Sequence, residues 1–391
     1  AIKSDTKEFV IVYDCGTVST RSFLKDSIIK FKNEYKKIDL LIVSHFDEDH
    51  VNGLKELLTG IACEKVIIPY YEPIVRLTLL INENLDNDYI SFIRDPVSYL
   101  LNTDGFRVTE VIILRNGGEG GLNNNLIPIA PIEPSSSEIN EGSELSINID
   151  EKNDEKFREY VKEKEKDSYN SSDKIKYFSL PFRLKLSNES WEFIFYLKDF
   201  KNPSGLTGFK SGIDKLISKT KDNKLTSLFD EVFIPNIKSI YKKYLFKNIN
   251  YTSLSVYHGP VKTCHHLVLW CNYQLFHRLI YSKEGVFKSG TLLTGDSFLK
   301  EDEDFDPFIT YYSNYIEKCF LFQVPHHGSQ KNWKPLPNGL EDIPVFVINH
   351  GLGRKKHPSK SVVDNIMSHS TFKDVISNNQ TSNVCYKIIL T

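Results

Sequence analysis

The chain has 391 residues, 40% of them hydrophobic and 26% charged, a makeup that can bury a sizeable core and excludes disorder throughout. Lys+Arg 49 against Asp+Glu 51 leaves a formal net charge of -2, so no global positive field holds a polyanion and any nucleic-acid contact has to come from a local patch. Six cysteines are too sparse for a disulfide scaffold and their spacing matches no zinc knuckle, which predicts a reducing, cytoplasmic setting. No run approaches the ~20 apolar residues of a membrane span.

In chain order, residues 8–13 and 38–43 are short β-branched runs that predict buried strands. Arg21 to Lys37 between them has the mixed periodicity of a surface helix. The first strand runs into Asp14-Cys15-Gly16-Thr17. The second runs into Ser44-His45-Phe46-Asp47-Glu48-Asp49-His50, and a helix through Leu58 and a strand at 65–69 follow. This is an α/β pattern that puts polar clusters at the carboxyl ends of strands, where open sheets place their sites. The middle differs. Gly117 to Gly121 is a Gly-rich turn, 133–144 is rich in Ser, Glu and Asn, and 14 of the 18 residues from Asp150 to Asp167 are charged. Phe157, Tyr160 and Val161 at helical spacing predict a salt-bridged helix with a thin apolar stripe. We read 116–175 as a charged, partly flexible insertion in a single domain whose core is 8–115 and 176–391. The C-terminal third alternates strands with polar punctuation at Gly295-Asp296, His326-His327-Gly328-Ser329 and His357-Pro358, and a helix is predicted over 359–367.

Two imidazoles and alternate carboxylates within 45–50, directly after a buried strand, repel and resist desolvation unless something binds them. A divalent metal removes that penalty, and His and Asp are ligands for zinc, manganese or iron. If the strands are near parallel, their ends bring Asp296 and His357 to the 45–50 turn, and one Asp bridging two ions is the geometry of a two-metal hydrolase. Adjacent residues at a strand end point to different faces, so only one of His326 and His327 is expected in the site. His327 is favoured, because Gly328 and Ser329 after it leave room for substrate and offer backbone donors. His350 is an alternative to His357. Histidines 265 and 266 fit no structural finger, and the Lys- and Tyr-rich stretch 238–247 is an amphipathic helix end or a nucleic-acid surface.

His45-x-Asp47-x-Asp49-His50, Gly295-Asp296, His326-His327-Gly328-Ser329 and His357-Pro358 occur in the order and approximate spacing of the metallo-β-lactamase superfamily. More narrowly, they resemble the hydrolase domain of competence-type DNA-uptake channel proteins. The resemblance covers roughly 8–70 and 250–370. It implies an αββα metallo-β-lactamase-like sandwich, and, because the family's Gly-Gln-Gly-Asp-like turn is absent ahead of Phe9, residues missing before Ala1. It also implies two divalent metal ions, zinc or manganese, with His45 and Asp47 on the first, Asp49, His50 and His357 on the second, and Asp296 between them. Asp14 would orient ligands. Asp47 stands where the widespread motif has His, and no matching His precedes Asp296, which makes the first site oxygen-rich and favours manganese or a loosely held ion. The implied activity is that of a metal-dependent hydrolase, a phosphodiesterase or nuclease using a metal-activated water at a dinuclear site, with Asp49 as a catalytic residue and His327 or His326 as general acid or phosphate contact. A nucleic acid or nucleotide is the implied substrate. The alternatives are a hydrolase of a small ester, lactone or amide, and a non-catalytic member of the fold acting with a protein partner. Free-standing relatives accompany partner genes, bacterial defence modules among them.

Overall fold

A computed structural model describes residues 2–3, 8–81, 85–117, 128–132, 146–165, 173–187, 190–198, 205–245, 253–261, 266–271, 274–277, 288–336, 339–354, 356–369, 374–380 and 384–389. The Gly-rich turn after Gly117, the polar stretch 133–144 and His265 of the histidine pair lie outside these residues. Strands Ile11–Tyr13, Lys37–Ile42, Ala62–Pro69, Arg107–Arg115 and Ile175–Ser179 form a parallel five-stranded sheet in that order. A second, eight-stranded sheet runs from Asp374–Asn378 through Val345–Asn349, Cys319–Gln323 and Gly290–Leu293, all parallel. It continues antiparallel through Ser255–Pro260, Trp191–Tyr196, Phe182–Leu186 and Ile147–Asn148.

The two-residue period of each strand sorts its side chains between two layers. Leu40, Ile42, Ile67, Ile112 and Leu114 meet Leu184, Phe193, Phe195 and Val256 in a core between the sheets. The intervening Leu41, Val66, Val111 and Ile113 face the helices of the first outer layer. Ile194, Leu292, Phe322 and Phe346 face helices Asp302–Ile316 and Lys360–Ser368 on the other side. Helix, sheet, sheet, helix is the αββα sandwich expected from the resemblance. The central strands, such as Lys37–Ile42 and Trp191–Tyr196, are buried on both faces because the sheets are covered on both sides.

Helix Glu155–Glu165 belongs to this sandwich, although the sequence reading puts it in an insertion. It lies between Arg107–Arg115 and Ile175–Ser179, which pair in parallel and therefore need a crossover on a sheet face. Phe157 and Val161 are fully buried in the helix-side core. The Phe157 ring packs edge-on against Tyr70 and Tyr177 and lies under the Arg115 guanidinium. Glu165, at its end, meets Arg76 at 2.6 Å with both side chains buried. The many charges of this segment hide a two-residue anchor that a sequence average does not register. The basic stretch near 238–247 is the amphipathic helix Ile234–Tyr244, with Ile237 and Tyr241 buried. Among the described residues no helix is long and apolar enough to cross a membrane.

One buried histidine sets an acid limit on stability. His258 sits opposite Phe193 across the strand pair, its ring stacked on Phe193 and near Trp191, and burial pushes its imidazolium down to about 4. A folded-state pKa below the unfolded value of ~6.5 gives stability that is present above that value and lost as pH falls toward 4. His258→Phe is expected to spare roughly 3 kcal/mol of that loss. Denaturant midpoints at pH 7 and 4 check this, and equal losses in the two proteins would refute it.

Candidate metal centre

The 45–50 turn is pinned by Phe46, whose ring sits edge-on between Tyr71 and Phe92 and whose carbonyl accepts from Tyr89 Oη at 2.9 Å. Phe46 turns into the helix-side core, so its neighbours His45 and Asp47 turn the other way. His45 is 1% exposed. Its Nδ1 lies 2.9 Å from Ser44 Oγ and 3.2 Å from Ser253 Oγ, which leaves Nε2 facing inward. The short helix Glu48–Val51 follows, and the 14–16 loop lies against it, with Cys15 N–H donating to the His50 carbonyl at 2.9 Å. A Cβ on Gly16 would stand 2.5 Å from the Asp49 carbonyl carbon, so only glycine allows this approach.

Asp14 binds His50 from behind. Its Oδ2 is 2.8 Å from His50 Nδ1 and accepts from Ser44 Oγ at 2.6 Å, while Oδ1 accepts from Ser44 N–H at 2.6 Å. This is the orienting role that the resemblance implies, and it aims His50 Nε2 inward. Asp296 arrives from the end of Gly290–Leu293. The Gln323 side-chain oxygen receives the N–H groups of Thr294 and Gly295, Gly295 takes a φ of 53°, and Asp296 N–H donates to Ser253 Oγ. A Cβ on Gly295 would lie 2.8 Å from Ser44 Oγ. Ser253 reaches this edge because Ser255–Pro260 runs antiparallel to Gly290–Leu293 and begins where its neighbours end.

Both His326 and His327 enter the site, which departs from the expectation that one would point away. Alternation holds for extended backbone, whereas here His326, His327 and Gly328 take φ values of 49°, 55° and 74°. Left-handed backbone costs a non-glycine residue about 1–2 kcal/mol, and such outliers gather at functional sites. His326 Nδ1 lies 3.0 Å from Asp296 Oδ2. His327 Nε2 lies 3.3 Å from Asp49 Oδ2, and its Nδ1 is 2.9 Å from the Asn349 carbonyl. Both partners are acceptors, which favours a proton on the ring nitrogen facing each. The backbone donors expected from Gly328 and Ser329 are already taken, by the carbonyls of Pro325 and His326.

Asp47 Oδ2 is 3.6 Å from His45 Nε2, with the carboxylate 40% exposed at the rim. Asp49 Oδ1 is 4.0 Å from His50 Nε2. His357 belongs to neither compact donor group among the described residues, and its ring centre is 6.0 Å from that of His326 and 6.3 Å from that of His327. His350 is also outside them, with Nδ1 3.2 Å from the Gly351 carbonyl. Ser44, Ser253 and Asn349, which orient the imidazoles, carry no sequence signal that marks them for this role.

The fields in the site are large and opposed. Burial alone would raise the Asp49 carboxyl, but the His327 hydrogen bond and the charge of His50 outweigh it and hold it at about 2. Asp296 is likewise held well below the carboxylate range against burial, first by His50 and then by His326. Burial disfavours the His50 imidazolium, yet Asp14 and Asp296 push its pKa well up. His327 is raised against burial by Asp49. His357 is lowered by burial and by His326, His327 and Arg354. The centre has a standing demand for positive charge.

The donor set fits a divalent cation. His45 Nε2 and His50 Nε2 are buried with no hydrogen-bond partner. They stand 3.9 Å and 3.4 Å from the two Asp296 oxygens. Ligands of one tetrahedral zinc at about 2.1 Å are separated by about 3.4 Å, wider than a hydrogen bond. Two groups have this compactness: His45, His50 and Asp296, and Asp49, His50 and His327.

Residues 2–123 match the family model of the metallo-beta-lactamase superfamily. No curated protein matches the chain. The matched segment contains Asp14 and the whole 45–50 turn, and the αββα sandwich supplies Asp296, His326 and His327 from beyond it. Sandwich, match and donor groups together point to a metal-dependent hydrolase. The narrower likeness to DNA-uptake hydrolases rests on the sequence motifs alone.

Proposed function

We propose that the chain is a metal-dependent phosphodiesterase in which His45, Asp47, Asp49, His50 and Asp296 would hold divalent metal, zinc or manganese. The observation that carries this reading is the pair of inward, left-handed histidines beside orphaned imidazole nitrogens. A bound divalent ion supplies a Lewis acid and an acidified water. The chain's own residues do the rest. Asp14 and the Ser44 and Ser253 hydroxyls lock the ring orientations of His50 and His45, so both Nε2 atoms stay aimed inward without reorganisation during reaction. Asp49, kept ionised by the His327 hydrogen bond and the charge of His50, would help hold the ion on the His327 side. His327, held at Nδ1 by the Asn349 carbonyl, presents a proton at Nε2 on the site side. That proton suits a leaving oxygen, and the imidazolium charge suits a phosphate, whose transition state spreads negative charge over several oxygens.

After chelation and reloading with zinc or manganese, the protein is expected to bind at least one equivalent and to hydrolyse bis(4-nitrophenyl) phosphate. Hydrolysis of 4-nitrophenyl acetate or a lactone with no cleavage of the phosphodiester would shift the reading to a small-ester hydrolase. Less than one equivalent of metal with neither activity would leave a binding protein.

A further inference from the structure

The Ser44 hydroxyl touches two groups that compete for its one proton. Its Oγ lies 2.6 Å from Asp14 Oδ2 and 2.9 Å from His45 Nδ1, and Ser44 and His45 are both buried. A carboxylate only accepts, and two oxygens 2.6 Å apart need a proton between them, so the Ser44 O–H points at Asp14. The Ser44 lone pairs then face His45, and Nδ1 has to carry the hydrogen of that bond. In a neutral imidazole this leaves Nε2 bare, and His45 Nε2 is the buried nitrogen without a hydrogen-bond partner.

Ser253 pulls the other way. Its Oγ accepts the Asp296 N–H at 2.8 Å and stands 3.2 Å from His45 Nδ1, so its own proton can be given to a bare Nδ1. Ser44, committed to Asp14, requires the proton on Nδ1, whereas Ser253 acting alone would drive it to Nε2. We propose that Ser44 is a positioning residue that relays Asp14 to His45, so that the carboxylate holding His50 directly also fixes His45 with Nε2 bare toward the metal position before an ion arrives. An imidazole protonated at Nε2 cannot ligate through that atom, and the relay removes a proton shift from metal uptake. This rests on the metal-binding half of the reading above and needs nothing of its substrate.

Asp14→Asn tests the relay from a distance. The Ser44 main-chain N–H, 2.6 Å from Oδ1, can only donate, so the amide has to turn its oxygen there and its NH2 to the Oδ2 position. The NH2 then donates to Ser44 Oγ, the Ser44 O–H swings to His45 Nδ1, and the His45 proton moves to Nε2. Ser44→Ala leaves Ser253 as the hydroxyl at Nδ1 and gives the same change. Two-bond 1H–15N correlations on chelator-treated protein with labelled histidine read the tautomer, with His45→Gln identifying the signal, and competition with a chromophoric chelator reads zinc affinity. The expected result is His45 protonated at Nδ1 in wild type and at Nε2 in both variants, with zinc affinity lower by about tenfold to a hundredfold. His45 protonated at Nε2 in wild type, a result that needs no variant to fold, overturns the relay. So does an Nδ1 proton that persists in Asp14→Asn or Ser44→Ala, or a tautomer change that leaves zinc affinity as it was. The expected tautomers with zinc bound by none of the three proteins support the relay and remove the metal reading instead.

Discussion

Asp296→Ala is expected to empty the centre of tightly held metal and to lower phosphodiester hydrolysis by about a thousandfold or more. Asp296 presents one oxygen to His50 Nε2 at 3.4 Å and the other to His45 Nε2 at 3.9 Å, and it also accepts from His326. No other carboxylate among the described residues stands between these three imidazoles. Loss of several kcal/mol of charge stabilisation corresponds to three or more decades in rate. The fold should survive, because the turn is held by backbone contacts, with Gln323 receiving two N–H groups and Ser253 a third. Metal analysis, turnover of bis(4-nitrophenyl) phosphate and a thermal melt separate these effects. Asp47→Ala provides the internal scale. Its carboxylate is 40% exposed and lies near His45 at the rim, so it should weaken metal retention and leave more activity than Asp296→Ala. Full activity in Asp296→Ala would refute the assigned centre.

The second large effect lies far from the chemistry. Arg76→Met or Glu165→Met alone is expected to destabilise the protein by about 3–5 kcal/mol, because each removes one half of a buried ion pair. The pair is 2.6 Å apart with both side chains 1% exposed. Burial pushes the Glu165 carboxyl up to about 7 even though Arg76 opposes that shift, which shows how much desolvation this contact has to offset. Arg76→Met/Glu165→Met should recover most of the loss, since apolar side chains of similar volume replace such pairs at little cost. Chemical denaturation of the four proteins closes the cycle. Additive losses, with no recovery in the double variant, would mean that the helix end does not bury this contact.

How much of the centre was legible in the sequence differs from residue to residue. His45, Asp47, Asp49 and His50 stood out because they crowd within six positions after an apolar strand, and short-range crowding of ligands is a local property. Asp14 and Asp296 were found as polar residues closing apolar runs, and both sheets do end at that edge. The His326-His327 pair departs from the strand-end expectation. Alternation belongs to extended backbone, whereas the positive φ values of these residues are set by neighbours distant in sequence. Ser253 and Asn349 were invisible in their roles, because a serine or a main-chain carbonyl orients an imidazole only once another strand has brought it there.

The sequence by itself determined the buried strands that lead into the polar clusters and the chemical types gathered at their ends, since periodicity and local composition record these directly. The tertiary structure decided the rest. It placed Glu155–Glu165 inside the sandwich as the crossover between two parallel strands, although its charge gave it the look of an outside segment. It also grouped His50 with both His45 and Asp296 on one side and Asp49 and His327 on the other, with Asp47 and His357 outside both groups. Such groupings depend on angles and distances between elements far apart in the chain, and residue types along a line do not encode them individually.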